Sequence, residues 1–100
     1  MIQIITLFFN GMAASPDVRD YRRAVEPLLI KHNARRISWA KVLNSHIGEP
    51  DEIHIVRFET SNDFAAFQAD PEYQALQDLR NSAMLGTITY LTEEYVTFLD

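Results

Sequence analysis

Cysteine is missing from all 100 residues. With it go disulfides, thiolate nucleophiles and every cysteine-based zinc or iron–sulfur site. Glycine is nearly as scarce, and Gly11, Gly48 and Gly86 stand singly, so no glycine-rich loop is available to cradle a phosphate. No apolar run approaches the ~20 residues that span a bilayer. Positive charge is also short: 9 Lys and Arg against 14 Asp and Glu leave a net charge of −5. The nearest basic cluster is Lys31, His32, Arg35 and Arg36, read as the end of a helix, where cations complement the negative pole of the dipole. Nucleic acid asks for a broad positive face, because phosphate contacts dominate its affinity. No nucleic-acid or membrane partner is therefore expected. No His-x-x-x-His spacing links His32, His46 and His54, and no nucleophile motif occurs. Neither a metal nor a cofactor is expected.

What is present is apolar and aromatic: 47% of the residues are hydrophobic and 11% are Phe, Trp or Tyr. A chain of this length makes one domain, residues 1–100, and buries only about 60–65% of its unfolded surface. That composition exceeds the needs of so thin a core, so a partner subunit is expected to cover the surplus. The opening run Ile2 to Phe9 with Met12-Ala13-Ala14-Ser15 behind it faintly imitates a signal peptide. It lacks the positive leading segment, and a buried strand explains it equally well. The expected location is cytoplasmic.

Ile2 to Phe9 reads as a first strand ended by the Asn10-Gly11 turn signal. Both of its faces are apolar, so both sides should be covered. Ser15-Pro16-Asp17 is a helix start, followed by a stripe at Val18, Tyr21, Val25, Leu28 and Leu29. Pro27 predicts a kink or a restart near Glu26, and Asn33 a left-handed stop. Arg36 to Leu43 reads as a second strand, with Ile37, Trp39 and Leu43 on one side and Ser38, Ala40 and Val42 on the other. After a loop at Asn44 to Asp51, Ile53 to Glu59 forms a third strand. Ser61 or Asn62 then caps a short helix that breaks and restarts at Asp70-Pro71-Glu72, with Tyr73, Leu76, Leu79 and Ala83 as its stripe. Gly86 to Thr92 is a fourth strand, and Glu94 to Leu99 a short terminal one.

The order is β-α-β-β-α-β, an α+β, ferredoxin-like pattern with a four-stranded antiparallel sheet and both helices on one face. The other face would be bare in a monomer. Strands apolar on both sides argue instead for two sheets packed face to face, a homodimer about a two-fold axis.

Residues Ile55 to Met84, IVRFETSNDFAAFQADPEYQALQDLRNSAM, resemble the second-helix signature of a family of small bacterial proteins of unknown function. That family lies in the dimeric α/β-barrel superfamily, related to antibiotic-biosynthesis-monooxygenase-like proteins. The resemblance rests on a hydrophobic strand ending in Phe58, an aromatic-alanine helix, and Asp70, Pro71, Glu72, Tyr73, Leu76, Leu79 and Arg80. In the first helix, Tyr21-Arg22 and Pro27 stand at about the expected places. The family usually carries an acid before the strand-ending Phe and a Pro after it. Here Arg57 and Glu59 stand there, so any role of that acid does not transfer. The resemblance implies the fold and the dimer but no particular reaction, since the superfamily includes cofactor-free monooxygenases, haem enzymes, isomerases, cyclases and proteins without known activity.

Eight residues are candidates for a pocket. Arg57, in phase with Ile53 and Ile55, would point between subunits if Val56 and Phe58 pack on the helices. There it would hold a carboxylate or enolate, or else form an ion pair, for instance with Glu59. Tyr73 and Arg80 lie seven apart on one helix and share a face; packing and pairing with an acid are their plain structural roles. Trp39 reads as core or dimer contact. The fold's cofactor-free monooxygenases use a pocket Trp with an Asn, which would pair Trp39 with Asn10. Thr6, Thr89 and Tyr90 offer hydroxyls, although alternating Thr is ordinary in strands.

Three functions compete. The first is binding or conversion of a small organic molecule in a pocket of the barrel. The second, by superfamily resemblance alone, is a cofactor-independent monooxygenase or cyclase of secondary metabolism. The third is a non-catalytic dimeric interaction module. The sequence leaves open whether the protein is an enzyme.

Overall fold

A computed structural model describes residues 1–95. The strands β1 (Ile2–Phe8), β2 (Ala34–Lys41), β3 (Glu52–Phe58) and β4 (Thr87–Glu93) form one sheet in the order β2-β3-β1-β4, with every neighbouring pair antiparallel. The helices are α1 (Pro16–Lys31), α2 (Ser61–Ala69), α3 (Pro71–Gln74) and α4 (Gln77–Ala83). This is the α+β, ferredoxin-like arrangement that the hydrophobic pattern predicts.

Strand register decides which side chains meet the helices. Ile2, Ile4, Thr6 and Phe8 of β1 pair with Phe58, Val56, His54 and Glu52 of β3. Alternation puts the members of each series on one face. The helices cover that face, and the core is Val25, Leu28, Leu29, Ala34, Phe58 and Phe67, with a second cluster at Phe8, Ala13, Val18 and Ala83. The opposite face carries Ile5, Leu7, Ile53, Ile55, Arg57, Ile88 and Tyr90. Among the described residues nothing covers it, and Ile88 and Tyr90 are 43% and 51% exposed.

Local chemistry explains the helix ends. The Ser15 side chain accepts from the Val18 amide at 3.2 Å, Pro16 opens α1, and Asp17 sits in its first turn. Asn33 holds the left-handed conformation (φ 57°) that ends α1, and Asn10 and Gly11 hold it in the turn after β1.

Five expectations need correction. The helix expected to start at Asp70-Pro71-Glu72 and carry both Tyr73 and Arg80 is two, α3 and α4, so these residues stand on different helices. α1 runs unbroken through Pro27 to Lys31, because burial of Val25, Leu28 and Leu29 on either side holds the helix together. The cap of α2 is Thr60, whose hydroxyl accepts from the Asp63 amide at 3.0 Å; neither Ser61 nor Asn62 serves. β2 begins at Ala34 and shifts register between Arg36 and Ser38, so Ile37 is the extra residue and Trp39 leaves its expected phase. Glu94 and Tyr95 lie outside any strand, and the rest of the expected terminal strand falls outside the described residues.

Candidate functional site

The α2–α3 break is fixed by one carboxylate. Asp70 caps α3 by accepting from the Glu72 amide at 2.9 Å, and also accepts from Lys31 Nζ at 2.8 Å and His32 Nε2 at 2.7 Å. It is 6% exposed, and these donors, Lys31 first and His32 second, hold its carboxyl well below the usual range. The end of α1 is thereby tied to the start of α3, and Tyr73 is set against Phe67 with ring centroids 4.0 Å apart.

That tie places Tyr73 over a cavity of about 100 Å³ between the sheet and the helices. Its floor is Ile4, Thr6 and Phe8 of β1 with His54 and Val56 of β3. Its roof includes Tyr21, Arg22 and Val25 of α1, Phe67, Tyr73 and Arg80, while Arg36 enters from β2. Thr89 is the one exposed member of the lining, which sets the mouth beside β4.

His54 is the centre of the polar part. Its ring lies between Phe8 and Trp39, at centroid distances of 4.2 and 3.9 Å. It is 6% exposed, and its Nε2, closed off by the surrounding atoms, has no hydrogen-bond partner among the described residues. Burial, then the charges of Arg36 and Arg22, lowers its pKa to about 4, so the imidazole is neutral near neutral pH. The Arg22 guanidinium stacks over the Trp39 ring at 4.1 Å, and that of Arg36 lies 5.7 Å from the same ring. Arg36 pairs with Glu26 at 3.0 Å. Among the described residues neither Arg22 nor Arg80 has a carboxylate within ion-pair distance. At the other end, burial pushes the Tyr21 hydroxyl pKa up, Tyr73 adds to the rise, and Arg80 opposes it. Tyr21 therefore remains a protonated donor.

The site thus offers a neutral imidazole, phenol hydroxyls and guanidiniums around an apolar chamber, with no carboxylate in its wall among the described residues. Among the described residues no cluster of His, Asp and Glu is arranged to hold a metal.

Of the eight sequence candidates, Thr6, Thr89, Tyr73 and Arg80 line the cavity. Trp39 stands behind His54 as its stacking partner, and its Nε1 donates to Glu52 at 3.2 Å. Three are elsewhere. Arg57 faces away from the helices and pairs with Glu94 at 3.6 Å; Glu59 pairs instead with Arg35, at 3.8 Å. Tyr90 lies on the same open face, registered with Ile5. Asn10 belongs to the exposed turn after β1, so it does not join Trp39 in a pocket. Sequence reasoning missed Tyr21, Arg22, Arg36 and His54. His54 was signalled by its phase with Val56 and Phe58; Arg36 was hidden by the bulge.

Comparison with known proteins fits this architecture. Residues 9–93 match the family described as Domain of unknown function (DUF1330). The chain belongs to that family. Among solved structures, the DUF1330 chain resembles a protein of unknown function from Rhodopseudomonas palustris, with 17% identity, a TM-score of 0.73, and coverage of 96% of this chain and 83% of that one. It also resembles a dimeric ferredoxin-like protein of unknown function from Thermobifida fusca, with 18% identity, a TM-score of 0.59, and coverage of 93% and 90%. A candidate antibiotic biosynthesis monooxygenase from Nitrosomonas europaea is similar at 10% identity, a TM-score of 0.58, and coverage of 95% and 98%. At such identities the likeness concerns the fold. No curated protein matches the sequence.

Proposed function

We propose that this DUF1330 protein binds a small organic molecule in the cavity between its sheet and helices, and works as a homodimer paired through the open sheet face. The observation that carries the binding reading is His54: a buried imidazole whose Nε2 lacks a partner, in the wall of a mainly apolar chamber. Buried polar groups are nearly always satisfied, and an unpartnered imidazole in the wall of an apolar chamber is the kind of polar feature that marks a ligand pocket. The dimer reading is supported by the uncovered residues Ile5, Leu7, Ile53, Ile55, Ile88 and Tyr90 on one face. It is supported also by the dimeric state named for the Thermobifida fusca neighbour.

An NMR fragment screen of small aromatic and branched aliphatic compounds tests the binding reading. Binding should move the His54 ring signals and the Thr6 and Thr89 amides together, and Thr89→Trp at the mouth should block it. A screen that leaves all three sites unmoved sinks the reading. Sedimentation equilibrium tests the pairing, and a monomer at every concentration would end it.

A further inference from the structure

Among the described residues, the wall of the cavity contains three arginines, Arg22, Arg36 and Arg80, and no Asp or Glu, in a chain whose net charge is −5. Two of these guanidiniums converge on one indole, at 4.1 and 5.7 Å from the Trp39 ring. Among the described residues, Arg36 alone of that pair has a carboxylate, Glu26, at 3.0 Å. Like charges held this close beside an apolar chamber repel and are partly stripped of water, a cost that an anion would offset. The imidazole packed against the same indole adds a polar atom without a partner, on a side chain 6% exposed. Around this polar end, Phe8, Phe67 and Tyr73 give the chamber aromatic walls. Its volume of about 100 Å³ compares with ~30 Å³ for one water molecule in the liquid, which suits a single ring or a short branched chain.

We propose that the ligand is a small monocarboxylate with a compact apolar body, its carboxylate held by Arg22 and Arg36 beside the His54 ring, and its body against Phe8, Phe67 and Tyr73. The inference rests on the cavity being a ligand site, as proposed above. It adds the charge and class of the ligand. Arginine suits the task because its planar fork presents paired donors to a carboxylate and keeps its charge when partly buried.

Matched probes of one shape and two charges test this on the wild-type protein. Benzoate and benzamide are titrated at low salt while the His54 ring and the Thr6 and Thr89 amides are followed by NMR. Benzoate should bind about ten-fold or more tightly than benzamide, the difference of one charge-assisted contact. Arg22→Gln should narrow that gap, weakening benzoate more than benzamide. Benzamide binding as tightly as benzoate at these signals would overturn the carboxylate assignment and leave the cavity as a site for neutral ligands. Binding of neutral fragments without any binding of benzoate would overturn it in the same way. If no fragment of either charge moves these signals, the cavity reading falls as well.

Discussion

His54 and Trp39, registered opposite each other on β3 and β2, hold their rings 3.9 Å apart at an interplanar angle of 50°. The register shift between Arg36 and Ser38 makes the contact. If the strands paired residue for residue with no shift, alternation would carry Trp39 to the open face. One bulge thus brings the indole, the imidazole and two guanidiniums together on the helix side of the sheet.

His54→Phe should raise stability by about 1 kcal/mol, because it removes a buried polar atom without a partner and keeps the ring between Phe8 and Trp39. His54→Ala should lower it by about 3 kcal/mol through the cavity it leaves. Urea unfolding of both variants checks the pair. In the binding reading, His54→Phe should keep the preference for benzoate over benzamide, which Arg22 and Arg36 carry.

Acid should destabilise the protein in two windows. His54 has a folded pKa of about 4 against an ordinary 6.5. Between those values the unfolded chain binds the proton that the folded one refuses, so stability declines as pH falls through that range. The loss should be on the order of 2 kcal/mol and absent from His54→Phe. Asp70 acts lower. Its depressed pKa gives a contribution fully present above the ordinary carboxylate range and lost as pH falls through the folded value. Urea midpoints measured across both ranges separate the two.

Asp70→Asn should keep the α3 cap, since an amide oxygen also accepts from the Glu72 amide. It should lose the charge-assisted bonds to Lys31 and His32. Hydrogen exchange should then quicken at α3 and the end of α1 while the amides of β1 and β3 keep their protection. Uniform loss across the sheet would contradict this local role.

Gly86 holds φ 78°, and a Cβ there would meet Met12 Cγ at an ordinary 3.7 Å. Space is available, so the cost of Gly86→Ala is backbone strain alone, about 1 kcal/mol. Thermal unfolding reads it directly.

Arg57→Met should leave every cavity signal and its response to benzoate unchanged, because Arg57 lies on the other face of the sheet, paired with Glu94. An altered benzoate affinity would mean that the two faces are coupled.

Alternation and caps are local properties, and they were legible in the residues themselves. Ile2 to Phe8 is a strand because its side chains are largely apolar on both faces. Ser15-Pro16-Asp17 and Asp70-Pro71-Glu72 start helices because their chemistry satisfies the first free amides. From these follow the element order, the bare sheet face and Arg57 pointing away from the helices. The candidate site was only half legible. Thr6, Thr89, Tyr73 and Arg80 were chosen as single residues, without the neighbours that make them a chamber. The rest depended on pairing between distant strands. A bulge adds one residue whose presence no local pattern reveals, and it reverses the facing of all that follows. Trp39 therefore met His54 instead of Ile53. His54 itself, ordinary in sequence, became the polar centre only when Phe8, Trp39 and the helices above them had removed it from water.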